Sequence, residues 1–115
     1  MSITQQRVLV ENLRDFQEII ESNQRVIALV YASWCPFCIR FLPVFERISN
    51  NDQTAESYFF LFQDDQEIMA DEYSVDVVPS VLLFENGKLA KRLDGVLGVG
   101  LNEKRFNDFL VSIGS

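Results

Sequence analysis

Two cysteines stand two residues apart in Trp34-Cys35-Pro36-Phe37-Cys38, and the 115-residue chain has no histidine and no third cysteine. Such a pair offers three chemistries: half of a zinc site, a static crosslink, or reversible dithiol–disulfide exchange. Zinc takes four ligands, so this chain would have to find the others on a second copy or among its carboxylates. A crosslink over so short a segment restrains little of the unfolded chain, because its benefit grows with loop length. Exchange gives the spacing a purpose. The pair sits where an apolar strand runs into a helix, so both sulfurs meet within the first turn. Pro36 suits the first helical position, where a missing N–H is no loss. Cys35 then occupies the N-cap, facing unpaired N–H groups and the positive end of the helix dipole. Those surroundings favour the thiolate, which is the nucleophile. Cys38 lies one turn further in, shielded, and acts only on a mixed disulfide already formed at Cys35. An exposed attacker and a buried resolver make a complete two-step exchange device.

The elements that must hold this pair alternate along the chain. Residues 7–10 read as a short strand. Asn12 is a candidate N-cap for a helix to residue 22, with Leu13, Phe16, Ile19 and Ile20 on one face. Residues 25–32 are almost continuously apolar, as expected of a strand buried on both faces. A helix spans residues 36–49 with Phe41, Phe45 and Ile48 inward, and residues 57–64 form another buried strand. A short helix at 67–73 follows. Residues 80–93 hold two β-rich runs around Asn86-Gly87, a strong hairpin signal. The last helix begins near Asn102, with Phe106, Phe109, Leu110 and Ile113 inward. The order β-α-β-α-β-α-β-β-α implies an α/β domain of 115 residues: a mixed sheet, helices on both faces, and an antiparallel hairpin at its edge.

Composition narrows the partners. A net charge of −7 argues against nucleic acid or an anionic membrane. No stretch approaches the roughly 18 apolar residues of a membrane helix. The amino-terminal residues lack the apolar core of a secretory signal, which points to the cytoplasm, where paired cysteines are more often catalytic than structural. The acidic cluster Asp64, Asp65 and Glu67 reads as a solvated loop. No metal site is expected. A second signal is Val77-Val78-Pro79-Ser80, where proline opens a strand. It is either a plain turn proline or a cis Val78-Pro79 bond, and sequence alone favours trans.

The Trp-Cys-x-x-Cys motif, the Val78-Pro79 step, Phe84-Glu85-Asn86-Gly87-Lys88-Leu89 and Asp94-Gly95 together resemble thioredoxins over essentially the whole chain. Pro43 matches that family's helix-kinking proline. The resemblance implies a thioredoxin fold, a cis Val78-Pro79 bond with Pro79 against the Cys35 sulfur, and a substrate groove bordered by Trp34, Val78, Gly95 and Val96. Pro36 and Phe37 add an apolar rim beside Trp34. It implies a monomeric protein disulfide reductase that needs no cofactor, takes protein disulfides as substrates and draws electrons from a reductase of the thioredoxin reductase type. A disulfide oxidant or isomerase, a glutaredoxin-like thiol carrier and a redox-silent interaction module are the alternatives.

Three departures stand out. Pro36-Phe37 replaces the family's usual Gly-Pro and is closer to the glutaredoxin pattern, yet the glutaredoxins' Gly-Gly element is missing after Pro79. The family's buried acid, six residues before the first cysteine, falls on Leu29. Its partner lysine falls on Phe60. The carboxylate that normally helps deprotonate the resolving thiol is therefore gone.

Overall fold

The computed structural model describes residues 6–51 and 57–114; the first five residues of the amino-terminal segment lie outside them. The elements are β1 (Gln6–Leu9), α1 (Arg14–Ser22), β2 (Arg25–Tyr31), α2 (Pro36–Asn51), β3 (Tyr58–Gln63), α3 (Ile68–Tyr73), β4 (Ser80–Glu85), β5 (Lys88–Leu93) and α4 (Glu103–Ser112). Their order is the one the sequence implies. The five strands form one sheet in the order β1-β3-β2-β4-β5. β1, β3 and β2 run parallel, with Leu29 opposite Leu61, while β4 and β5 are antiparallel additions. Two parallel crossovers force helices between strands, which is why α1 and α2 must cover the sheet.

The pleat of the central strand divides the core in two. Ile27, Leu29 and Tyr31 point to the face covered by α2 and α4, where they meet Phe41, Phe45, Phe106 and both cysteines. Val26, Ala28 and Val30 point to the opposite face, against Phe16 and Ile20 of α1 and Met69 of α3. Burial on both faces explains the unbroken apolar run of β2. Phe45 and Phe106 stack with ring centres 5.1 Å apart, and Phe106 meets Phe41 edge-on at 5.6 Å.

Local chemistry sets the boundaries. Asn86 and Gly87 adopt φ of 52° and 82°, the paired positive values of a tight two-residue hairpin turn. Asn102 caps α4, its side chain accepting the Arg105 N–H at 2.9 Å. Asn12 accepts the Asp15 N–H at 3.2 Å, and Asp15 in turn accepts the Glu11 N–H at 2.7 Å. Asn12 thus caps α1 although regular helix begins only at Arg14. Leu13, expected on the inner face of that helix, is exposed, because it sits on the capping turn rather than on the stripe defined by Phe16 and Ile20. Pro43 lies inside α2, where it leaves the Ile39 carbonyl without its helical donor.

The acidic cluster is not one solvated loop. Asp64 is 3% exposed and accepts the N–H groups of Ile68, Met69 and Ala70 at 2.8, 3.0 and 2.8 Å. A six-residue helix has no length to stabilise itself, and this carboxylate satisfies the amides its first turn leaves open. Glu67 alone of the three is exposed.

Candidate active site

β2 ends at Tyr31, and a turn closed by the Cys35 N–H on the Ala32 carbonyl (3.3 Å) leads into α2. The Cys35 sulfur caps that helix, accepting the Cys38 N–H at 3.3 Å. From the other side the Cys35 thiol points at the Val78 carbonyl oxygen, 3.7 Å away. Val78-Pro79 is cis, as the family resemblance implied and as the residues alone did not. The hydrogen-bonding group that this step brings to the sulfur is the Val78 carbonyl, and Pro79 is itself buried. Both cysteines are free thiols.

Cys35 is less exposed than an expected attacker would be, at 5%, with the cis-proline loop against it. Cys38 is fully buried. Burial pushes the Cys38 thiol up to about 12, partly offset by a backbone hydrogen bond at Ala32 and reinforced by Cys35 and the Asp65 charge. Leu29 lies in the same apolar cluster as Cys38, so the absence of a carboxylate at that position leaves the thiol among hydrocarbon side chains. Phe60 is not beside Leu29. β3 alternates, so Phe60 packs on the opposite face, stacked 5.9 Å from Phe62, and Leu61 is the neighbour of Leu29.

The other residues expected to border a groove lie on separate segments of the chain. Trp34 is 63% exposed, Pro36 is exposed, and Phe37 is half-buried with the Arg40 guanidinium 5.6 Å from its ring centre. A Cβ at Gly95 would stand 2.4 Å from the Pro79 carbonyl oxygen, and one at Gly100 would stand 2.9 Å from Phe37 Cβ. Only glycines let this loop close on both sides of the site. The Gly95 N–H donates to Ser80 Oγ at 3.1 Å, and Val96 bridges to Gly100. The turn between them leaves Leu97 and Val99 exposed.

Asp65 was missed as a site residue. Its carboxylate holds Ser33, two residues before Cys35, and lies close enough to influence Cys38. The available signal was its place just past buried β3. Parallel neighbours end on the same side of a sheet, so the residues after β3 must lie beside those after β2. Among the described residues no cluster of His, Cys, Asp or Glu has the arrangement to hold a metal ion.

The thioredoxin family model matches residues 7–107. The chain is 30% identical over 83 residues to a thioredoxin of Rickettsia typhi, covering 70% of this chain and 79% of that protein. It is 31% identical over 83 residues to a bifunctional thioredoxin reductase/thioredoxin of Mycobacterium leprae, covering 72% of this chain but only 18% of that longer protein. The thioredoxin of Malassezia sympodialis superposes with a TM-score of 0.79 at 19% identity, covering 100% of this chain and 96% of the other.

Proposed function

The chain belongs to the thioredoxin family and is a thiol–disulfide oxidoreductase; from that premise we propose that it reduces protein disulfides, with Cys35 attacking and Cys38 resolving. The observation that carries this reading is the Cys35 sulfur itself, held between the Cys38 N–H and the Val78 carbonyl with a fully buried thiol behind it. In the first step the Cys35 thiolate attacks one sulfur of the substrate disulfide and expels the other as a thiolate. In the second, Cys38 gives up its proton and attacks the Cys35 sulfur, releasing the second substrate thiol. The Cys35–Cys38 disulfide now carries the oxidation, and two electrons and two protons from a reductase-type donor restore the dithiol. No metal or cofactor enters either step.

Trp34, Pro36, Phe37, Val78, Pro79, Gly95 and Val96 form the groove in this reading. Substrate backbone would lie along the Val78 carbonyl, with apolar side chains on Trp34 and Phe37. The protein would act as a cytoplasmic electron carrier. No helix among the described residues is long and apolar enough to cross a membrane.

Insulin reduction with dithiothreitol as donor tests the activity, and a rate no better than the uncatalysed one would defeat it. Limiting iodoacetamide at neutral pH should label Cys35 before Cys38, since only Cys35 has any surface. Cys38→Ser should retain attack and accumulate mixed disulfides on Cys35. Preferential labelling of Cys38 would reverse the two roles.

A further inference from the structure

Beside the two cysteines, at the ends of β2 and β3, polar side chains form a chain of contacts that the exchange steps above do not use. Asp65 Oδ1 accepts the Ser33 N–H at 2.7 Å. Asp65 Oδ2 accepts from Ser33 Oγ and from Gln63 Nε2, both at 2.8 Å. Gln63 Oε1 accepts the Tyr31 hydroxyl at 3.4 Å, and the Arg7 guanidinium lies 5.9 Å from the Tyr31 ring centre. The Asp65 carboxyl is held below the usual carboxylate range, chiefly by the Ser33 N–H and then by Gln63. Its own backbone cannot drift, because the preceding residue, Asp64, is the buried cap of α3.

Ser33 is exposed and stands in the turn from Ala32 to Cys35, next to Trp34. A turn with an exposed indole at its tip samples several conformations unless something grips it, and substrate binding would then have to order it. We propose that Asp65 is a positioning residue: by holding Ser33 through both backbone and hydroxyl, it fixes the turn that presents Trp34 to substrate. This rests on the groove reading above, in which Trp34 meets protein substrates. The partner implied is a polypeptide broad enough to use the indole, as opposed to a small disulfide that needs only the Cys35 sulfur.

The test compares Asp65→Asn, Ser33→Ala and Asp65→Glu by insulin reduction, by reaction with a small aromatic disulfide, and by fluorescence anisotropy of Trp34. Trp34 is the chain's one tryptophan, so its emission reports this turn alone. Asp65→Asn should raise KM for insulin roughly tenfold, as for loss of one charge-assisted hydrogen bond, with no comparable loss toward the small disulfide. Ser33→Ala should act in the same direction, and in both variants the anisotropy of Trp34 should fall. Asp65→Glu should recover part of each effect. Unchanged anisotropy and KM in Asp65→Asn would overturn the proposal. So would an equal loss toward both substrates with Ser33→Ala normal, which would assign the effect to Asp65 charge acting on Cys38. If the unmodified protein leaves insulin unreduced, the reductase reading fails, and the anisotropy series still decides whether Asp65 holds the turn.

Discussion

Replacing Leu29 with aspartate should speed the second step of exchange and weaken the fold. Leu29 is fully buried in the cluster that contains Cys38, whose thiol is raised from 9.0 to about 12. At neutral pH that shift cuts its thiolate fraction about a thousandfold. A more basic thiolate is also a better nucleophile, and a Brønsted slope of about 0.4–0.5 returns roughly 16- to 30-fold. The net deficit in resolution is therefore roughly 30- to 60-fold relative to an unburied thiol. While deprotonation limits the step, its rate should climb about tenfold per pH unit through neutrality and beyond. A carboxylate at position 29 gives the proton somewhere to go, and positioned bases contribute on the order of a hundredfold or more. Leu29→Asp should thus recover at least about tenfold near pH 7 and flatten the pH slope. Stability should fall by roughly 3–6 kcal/mol, the sum of lost apolar burial and an unpartnered buried polar group. Leu29→Asn is the control, equally disruptive but not a base. Stopped-flow release from a Cys35 mixed disulfide, with urea melts alongside, reads both quantities. Equal release rates in Leu29→Asp and the unmodified protein, or equal acceleration in Leu29→Asn, would refute the argument.

The same raised thiol makes stability fall in alkali. Its folded pKa lies above the unfolded value, so its contribution is complete below pH 9 and is lost as pH rises toward about 12. Urea midpoints should decline across that window, and Cys38→Ala should decline less. Asp64→Ala removes the acceptor for three amides at the start of α3 and should cost about 2–4 kcal/mol by denaturant titration; a loss under about 0.5 kcal/mol would place the cap elsewhere. Gly95→Ala drives a methyl into the Pro79 carbonyl and should cost about 1–3 kcal/mol, with insulin reduction impaired. Full activity and stability in that variant would mean the loop is free to move away from the cis-proline.

Much of this architecture was legible because the deciding forces are local. The unbroken apolar run of β2, the Asn86-Gly87 turn and the Cys35-Pro36 helix start each carry their structure in adjacent residues. What escaped depends on how distant elements meet. Asp64 and Asp65 are identical side by side, yet one turns under α3 and the other toward Ser33, a choice set by where β3 ends. The family's lysine position falls on Phe60, whereas the pleat of β3 sets Leu61 opposite Leu29 and turns Phe60 to the other face. Leu13 fits the apolar spacing of α1 but falls on its capping turn. The partial burial of Cys35 comes from the Val78-Pro79 loop, more than forty positions downstream, which no reading of the Cys-x-x-Cys segment alone contains.

The stacking of Phe106 on Phe45 and against Phe41 also bears on the order in which the molecule acquires its chemistry. The inner face of α2 is closed by α4, which follows every strand in the chain. β2 gains its second neighbour only when β4 is in place. During synthesis, then, both thiols exist long before the packing that buries Cys38 and the carbonyl that meets Cys35. Contacts between residues so far apart in sequence close late, after the slow search for non-local pairings. The packing that distinguishes Cys38 from Cys35 thus waits on α4, and the carbonyl that meets Cys35 waits on the segment leading into β4.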